Sequence, residues 1–221
     1  MSESVLRVAV IGVGGFGRAT VEALAGVDCV ELVGVADRNG KAAAQIGQDF
    51  GVRSYTDNRS VLAETGPEAV FLAVPPMVAP DLVAECAKRG IHVWRELPLG
   101  RNLDEAVSLV RLMDKAKLKF AVGTQRRFAS PYRRAWQLRR KLGQTFLGRS
   151  HYLFNWGPEL GWRSDKTSAG GGALLELGYP AVNLLIWMLG LPEEVYGINS
   201  CGYRPAHNDS APTTTPYDTD D

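Results

Sequence analysis

The sequence contains little cysteine and almost no net charge. Its three cysteines, Cys29, Cys86 and Cys201, lie far apart and form no CxxC pair. This spacing argues against a disulfide scaffold or a zinc site, so we expect a cytoplasmic protein without a bound metal. The formal net charge of +1 gives no indication of binding to nucleic acid or to an anionic membrane.

An export signal and an uninterrupted membrane span are also missing. The first residues, MSESVLRVAVIG, contain no basic segment followed by a small-residue cleavage site. The stretch 173–191 approaches the length of a span, but four residues break its apolar character: Glu176, Gly178, Pro180 and Asn183. Lysine and arginine do not flank it asymmetrically, so it predicts a buried core helix. We expect this helix to end at Gly178 and to restart with Pro180 in its first turn.

The first half of the chain alternates predicted strands with predicted helices. Apolar runs typical of buried parallel strands occur in VLRVAVIG, VELVGVAD, AVFLAV, IHVW and KFAVG. Helical spacing occurs in Gly15–Ala25, NGKAAAQIGQDFG, APDLVAECAKRG and LDEAVSLVRLMDKAK, the last begun by Asn102. Repeated strand–helix units of this length predict an α/β protein with a doubly wound parallel sheet.

The pattern changes after about Thr124. SPYRRAWQLRRKLG predicts a basic amphipathic helix with Ser130 as N-cap and Pro131 at its first position. The nearly neutral chain favours a solvated helix face, or one reaching toward phosphate, over a nucleic-acid interface. GRSHYLFNW and EEVYGINSCGY are typical of strands, and the long apolar helix lies between them. The pattern therefore predicts a second domain, with a helix on an antiparallel sheet.

A glycine-rich turn, Gly12-x-Gly14-x-x-Gly17, joins the first strand to the first helix. The bare pattern is a weak signal, and a glycine turn in another doubly wound fold is the alternative. Between a strand and a helix, however, there is a structural reason for each glycine. Gly12 permits the tight turn, Gly14 lets the backbone approach a pyrophosphate, and Gly17 allows close helix–strand packing. The N–H groups at the helix N-terminus then favour phosphate.

The end of the second predicted strand bears on the choice of dinucleotide. Asp37 lies twenty residues after Gly17, where an acid can accept hydrogen bonds from the adenosine ribose hydroxyls. Arg38 can stack on adenine or pair with a 2′-phosphate, whereas Asp37 repels that phosphate. We therefore expect NAD as the cofactor and leave NADP open.

With these features in place, the sequence resembles the glucose–fructose oxidoreductase / inositol dehydrogenase / MocA family. The matching segments span nearly the whole chain: VAVIGVGGFGRA, VADRN, AVFLAVPP, AKRGIHVWRELPLGRNLDEA, LKFAVGTQRRFASPYRRA, GWRSD, AGGGALLELG and LLIWMLG. The resemblance implies a Rossmann domain over 1–125 and a partial α+β domain with an open antiparallel sheet over 126–205. We expect the polar tail, 206–221, to be disordered. The family mostly moves hydride between NAD(P) and a hydroxyl or carbonyl of sugars, cyclitols and related polyols.

The resemblance also assigns cofactor contacts along the whole dinucleotide. The matching residues are Gly12, Gly14, Phe16 and Gly17 at the pyrophosphate, Asp37 and Arg38 at the ribose and adenine, Val74, Pro75 and Pro76 along the dinucleotide, Glu96 in the family's Glu-Lys-Pro motif, and Trp162 with Arg163 toward the nicotinamide.

At the catalytic positions the chain departs from the family pattern. Leu97 stands where the family has a lysine, and Pro180 and Asn183 stand where it has a histidine and an aspartate. Leucine and proline exchange no protons, and an amide does not titrate near neutrality. Tyr179, beside the lost histidine position, is our candidate proton donor; the further candidates, Asp165, Lys166 and His151, are more simply explained as surface or packing residues.

Three hypotheses about function follow from this combination. The first is an NAD(P)-dependent oxidoreductase of a sugar-like or polyol substrate with atypical acid–base residues. The second is a catalytically inactive dinucleotide-binding pseudoenzyme, acting as a sensor or interaction module. The third is a redox half-reaction on a tightly held cofactor. Because relatives continue into further strands, we expect a truncated chain, which would be a homo-oligomer if the full second domain were present.

Overall fold

The computed structural model describes residues 5–154, 160–199 and 219. The chain divides into two compact units, Met1–Gly123 and Thr124–Asp221. The division lies two residues before the boundary expected at residue 125. The predicted tail, 206–221, lies outside the described residues apart from Thr219.

The first unit is built on a six-stranded parallel sheet. Its strands are β1 (Leu6–Ile11), β2 (Val30–Ala36), β3 (Ser54–Tyr55), β4 (Ala69–Leu72), β5 (His92–Arg95) and β6 (Phe120–Val122). The strand order is β3-β2-β1-β4-β5-β6, so the direction of winding reverses between β1 and β4. This order is that of the Rossmann fold and opens a crevice beyond the carboxyl ends of these two strands. The predicted doubly wound parallel sheet is confirmed.

Helices cover both faces of the sheet. They are α1 (Gly15–Ala25), α2 (Gly40–Phe50), α3 (Asn58–Thr65), α4 (Ala79–Arg89) and α5 (Leu103–Lys115). The Asn102 side chain accepts a hydrogen bond from the Glu105 N–H at 2.9 Å, which begins α5 as predicted. Gly90 ends α4 in the left-handed region, with φ 74°.

The sequence analysis missed β3 and α3. β3 has only two residues, which is too short for an alternating pattern to be visible. α3 has eight residues and a single apolar pair, Val61 and Leu62, on its inner side. Its boundaries nevertheless have local signals, because Asp57 caps the first turn and Gly66 ends the helix with φ 54°.

The core is divided into two clusters, one on each face of the sheet. Alternate strand residues point to opposite faces, so Val10, Val35 and Phe71 belong to one cluster. Ile11, Val70, Leu72 and Val93 belong to the other, together with inward-facing residues of three helices: Leu62, Leu82, Val83, Leu109 and Met113. This packing fixes the strand ends where the loops of the site begin.

One charged side chain is buried among the described residues of the first unit. Arg95, the last residue of β5, is 1% exposed. Its Nη1 donates to the Leu99 carbonyl oxygen, while Nε and Nη2 have no hydrogen-bond partner in the described part of the chain. Burial lowers the pKa of Arg95 to about 10, so the guanidinium is still charged at neutral pH. A buried cation without full compensation opposes folding.

We expect Arg95→Met to raise the free energy of unfolding by about 1–3 kcal/mol, because methionine fills a similar volume without a charge. Urea denaturation followed by circular dichroism measures the change. Arg89→Met is the matched control, since Arg89 makes only a partly exposed pair with Glu85, and should change stability by about 0.5 kcal/mol or less. A loss of more than about 1 kcal/mol for Arg95→Met would mean that the guanidinium is compensated.

The second unit is helical where it is described. Its helices are α6 (Ser130–Leu138), α7 (Lys166–Ala169) and α8 (Tyr179–Leu189), with 3₁₀ turns at Gln125–Phe128, Arg139–Leu142 and Gly161–Ser164 and a π-helical turn at Leu174–Gly178. Ala129, rather than the expected Ser130, occupies the N-cap of α6, and no side chain caps this end. A shift of one residue is common at helix ends.

The predicted antiparallel sheet is not confirmed. No strand occurs in the described part of the second unit; residues 148–154 and 193–199, which cover most of both predicted strands, have no regular secondary structure. Their side chains include the exposed Leu153, Phe154, Val195 and Ile198. An alternating pattern makes a strand only when a neighbouring strand supplies hydrogen-bond partners, and neither segment has such a neighbour among the described residues.

The expected buried core helix is exposed on much of its surface. No residue of α8 is buried, because nothing in the described structure covers its outer side. Within the described residues, the helical run Lys166–Leu189 is long and apolar enough to cross a membrane by length and composition alone. Helices in the cores of soluble proteins pass the same test, so this is a weak indication, and the absence of a membrane partner stays a prediction.

Pro180 accounts for the change of helical type before α8. Proline has no N–H, and its ring would clash with the carbonyl of Glu176 in a continuous α-helix. The π-helical turn Leu174–Gly178 widens the backbone there and relieves this clash. α8 then begins with Pro180 in its first turn, as predicted, although Gly178 and Tyr179 keep right-handed helical angles.

Candidate functional site

The site of the first unit lies at the carboxyl edge of the sheet. The loops that follow β1, β2 and β4 meet there, and their cleft is lined by Gly12, Asp37, Arg38, Asn58, Ala73, Val74, Pro75 and Val78. An open α/β sheet binds its ligand where the winding reverses, and β1 and β4 border that point here.

The three motif glycines have different structural reasons. Gly12 has φ +85°, and a Cβ there would lie 2.3 Å from the Ala73 carbonyl oxygen. A Cβ on Gly17 would lie 1.7 Å from the Gly12 carbonyl oxygen, so both positions are closed to side chains by the protein itself. A Cβ on Gly14 would meet nothing within 4 Å. The backbone at Gly14 is therefore bare toward open space, which suits the close approach of a pyrophosphate.

The Asp37 carboxylate ties the end of β2 to the glycine turn. Its Oδ2 accepts a hydrogen bond from the Val13 N–H at 2.8 Å, and its Oδ1 accepts one from the Asn39 N–H at 2.8 Å. Each carboxylate oxygen has two lone pairs, so capacity is left for the hydroxyls of a ribose. These residues fit a dinucleotide, because the bare turn and the anchored acid lie on one edge of the sheet.

Not every predicted cofactor residue lines this cleft. Arg38, Val74 and Pro75 line it, as the resemblance implied. Phe16 is 62% exposed on α1 and Pro76 is buried in the loop that leads to α4; neither is among the lining residues, and Gly14, Gly17 and Glu96 are not among them either. The sequence analysis did not assign Asn58 to the site. The local signal for it was Asp57, which caps α3, a helix that was not predicted.

Glu96 lies farther along the same edge, beyond β4. Its N–H donates to the Leu72 carbonyl oxygen at 3.0 Å, which extends the pairing of β5 with β4. The carboxylate lies against Gly123, where a Cβ would be 2.6 Å from Oε2, and Oε2 also accepts from the Leu97 N–H at 3.3 Å. Leu97 itself is half-buried and presents no group that titrates.

In the second unit, Trp162 and Arg163 form a compact cluster with an acid that the sequence analysis did not assign. The Arg163 guanidinium lies 4.4 Å from the centre of the Trp162 ring, and its Nε donates to Glu176 Oε1. The Thr219 hydroxyl donates to the Arg163 carbonyl oxygen at 3.0 Å. Glu176 had been noted only as an interruption of an apolar stretch, yet an acid in such a stretch needs a partner.

Tyr179, Pro180 and Asn183 lie within the first two turns of α8. Asn183 is held in place, because its Oδ1 accepts a hydrogen bond from Arg127 Nε at 2.6 Å. The same guanidinium lies 5.8 Å from the centre of the Trp187 ring. Tyr179 is half-buried and makes contacts of its own.

The other three proton-transfer candidates are poorly suited to that role. Asp165 caps α7, where its oxygens accept hydrogen bonds from the backbone and hydroxyl groups of Thr167 and Ser168. These bonds, above all those from the Ser168 and Thr167 hydroxyls, lower the pKa of Asp165 and keep it ionised. Lys166 and His151 are exposed, which agrees with a surface role.

The glycine turn, the anchored acid and the strand order define a dinucleotide-binding Rossmann domain. Two protein-family models match the chain. Residues 6–124 match the GFO_IDH_MocA model, an oxidoreductase family with an NAD-binding Rossmann fold, and residues 132–221 match the GFO/IDH/MocA C-terminal domain. The chain therefore belongs to the GFO/IDH/MocA oxidoreductase family, and the resemblance noted in the sequence is confirmed.

Individual relatives agree with this assignment. The 4-carboxy-2-hydroxymuconate-6-semialdehyde dehydrogenase of Sphingobium sp. strain SYK-6 is 31% identical over 124 residues, 56% of this chain and 39% of that one. Myo-inositol 2-dehydrogenase of Thermotoga maritima is 26% identical, over 67% of this chain and 44% of that one. The solved structure of GenD2 from gentamicin A biosynthesis, in complex with NAD, is 30% identical with a TM-score of 0.74, covering 85% of this chain and 54% of that one. The chain thus spans about half the length of these relatives, or less.

Two glycine variants should separate binding from folding. Gly14→Ala places a methyl group in the open space of the turn, so we expect NADH to bind at least about tenfold more weakly with unchanged stability. Gly17→Ala drives a methyl group into the Gly12 carbonyl and should lower the free energy of unfolding by about 1–3 kcal/mol. NADH fluorescence titration and urea denaturation measure the two effects. Unimpaired NADH binding by Gly14→Ala would argue against a pyrophosphate at this turn.

Proposed function

We propose that the protein is an NAD(P)-dependent oxidoreductase that acts on a hydroxyl or carbonyl group of a sugar, cyclitol or related polyol in the cytoplasm. The observation that carries the cofactor assignment is the bare Gly14 backbone beside the anchored Asp37 carboxylate. Membership of an NAD-binding oxidoreductase family supports the reaction class. The substrate class rests on relatives such as myo-inositol 2-dehydrogenase.

NAD is favoured over NADP because of how Asp37 is held. Both of its oxygens accept backbone N–H groups, so the carboxylate cannot turn away from a 2′-phosphate on the adjacent ribose. Two negative charges side by side in a partly enclosed site repel each other strongly. Arg38 is exposed and lines the same cleft, so a guanidinium is available beside adenine.

Tyr179 is the residue that we propose to move the substrate proton. It is half-buried at the start of α8, next to Pro180, which cannot serve. A phenol has an ordinary pKa near 10 and needs a neighbouring cation before it acts as a base near neutrality. The bound dinucleotide would supply hydride acceptor and donor chemistry, while Tyr179 and Asn183 would position the substrate oxygen.

The catalytically inactive module has no support among the relatives described above, whose names are those of dehydrogenases. Beyond a small-molecule substrate, we propose association between copies of the complete protein and no nucleic-acid or membrane partner. The exposed apolar side chains of residues 146–154 and 191–198, such as Phe146 at 96% and Leu191 at 84%, support association, since such surfaces are rarely left in water.

Binding and turnover should be measured in sequence. We expect NADH to bind at least about tenfold more tightly than NADPH, as followed by nicotinamide fluorescence. Absorbance at the NADH band then reports NAD⁺ reduction across a panel of cyclitols, aldoses and sugar acids, in which at least one compound should be oxidised. Binding without turnover across the panel would contradict the proposed activity, and failure to bind either dinucleotide would contradict the cofactor as well.

The Asp37→Ser variant tests the choice of cofactor. Removing the carboxylate should raise the affinity for NADPH relative to NADH by about tenfold or more, because an acceptor for the ribose hydroxyls and a like charge disappear together. Loss of the bond to the Val13 N–H should weaken both dinucleotides alike. Asp28→Ser is the matched control, since Asp28 precedes β2 at the opposite edge of the sheet. An unchanged NADH-to-NADPH ratio in Asp37→Ser would show that Asp37 does not face the ribose.

The Tyr179→Phe variant tests the proton donor. We expect turnover of the substrate found in the screen to fall by about 10²–10⁴-fold, the usual loss for an acid–base group, while the NADH dissociation constant stays the same. Tyr196→Phe is the control, because Tyr196 is 88% exposed. Full activity in Tyr179→Phe would eliminate this residue and direct attention to Glu176.

A further inference from the structure

The nucleotide cleft contains one polar side chain that neither the glycine motif nor the Asp37 position explains. Asn58 is the first residue of α3 and is half-buried. It lines the cleft together with Asp37 and Arg38, and it comes from the helix that follows β3.

The backbone of Asn58 is held firmly. Asp57 accepts hydrogen bonds from the Arg59 N–H at 3.2 Å and from the Ser60 hydroxyl at 3.0 Å, which closes the first turn of α3. One turn later, Val61 and Leu62 are buried in the core against β1 and β2. The backbone that carries the Asn58 carboxamide is therefore fixed at the mouth of the cleft by the packing of α3.

Several of the residues that line the cleft are apolar. Val74, Pro75 and Val78 line it, and the turn is closed by the Val78 N–H, which donates to the Pro75 carbonyl oxygen at 3.0 Å. Apolar side chains together with the Arg38 guanidinium suit a planar heteroaromatic ring, on which arginine stacks well. Asp37 already accounts for the ribose, so the ring that remains is the base.

We propose that Asn58 hydrogen-bonds the edge of the adenine ring and thereby selects adenine-containing dinucleotides. A carboxamide presents an acceptor and a donor side by side. The exocyclic amino group of adenine and ring N1 present the matching donor and acceptor, so the pair can be bidentate. This inference rests on the proposed cofactor and adds the residue that reads the base.

An analogue of NAD⁺ with a blocked adenine edge provides the test. In the ethenoadenine dinucleotide, a two-carbon bridge joins ring N1 to the exocyclic nitrogen, which blocks the N1 acceptor and removes the N–H donors, so the bidentate pair cannot form. We expect the wild-type protein to bind NAD⁺ about tenfold more tightly than this analogue in calorimetric titration. Asn58→Ala should lose this preference and bind both compounds equally, because the contact is absent in each case.

Two further variants separate recognition from structure. Asn58→Leu has a similar shape but no hydrogen-bonding group, so it should also lose the preference for NAD⁺ over the analogue. Glu64→Ala alters an exposed residue of the same helix and should keep the preference. The NADH-to-NADPH ratio should be the same in all variants, since adenine is common to both.

The possible outcomes are distinct. Equal weakening of NAD⁺ and the ethenoadenine analogue by Asn58→Ala would overturn the adenine contact and assign Asn58 a structural role. Unchanged NAD⁺ binding in that variant would also overturn it, while leaving the proposed oxidoreductase intact. Failure of the wild-type protein to bind NAD⁺ would instead overturn the proposed function, and this inference with it.

Discussion

The Asp37 carboxylate connects two loops whose separate positions would not make a binding site. By accepting the N–H groups of Val13 and Asn39, it holds the glycine turn after β1 against the loop after β2. Those bonds also orient its remaining lone pairs toward the cleft. Gly14 can then stay bare without collapse of the turn, because the carboxylate and the closely packed Gly12 and Gly17 keep the backbone in place. The geometry of the turn is thus set by one side chain, the same one that we propose to select NAD.

The second unit shows a different arrangement of charge. Pro180 and Asn183 lie in the first two turns of α8, and the charged side chains near this helix are paired or cap a neighbouring helix. Arg163 pairs with Glu176, Arg127 donates to Asn183, and the π-helical turn adapts the backbone to Pro180. These contacts fix hydrogen-bond donors and acceptors at the start of α8, where we propose that the substrate is positioned.

Local features of the fold could be predicted from the sequence, and non-local ones could not. The cap at Asn102, the C-terminal Gly90 and the glycine turn each depend on residues within about one helical turn, so their signals are visible in the chain. β3 is too short to show a pattern. The pairings of Arg163 with Glu176 and of Arg127 with Asn183 join residues 13 and 56 positions apart, and no local rule connects them. The strands expected in the second unit failed for the same reason, because a strand requires a partner from elsewhere.

The central claim is that a dinucleotide binds at the sheet edge formed by the loops after β1, β2 and β4. Hydrogen–deuterium exchange with and without saturating NAD⁺ tests it directly, since amides that contact or enclose the cofactor exchange more slowly. The account predicts added protection over residues 12–18, 37–39 and 73–78, and at the start of α3. Binding of NAD⁺ without added protection in these segments would contradict it.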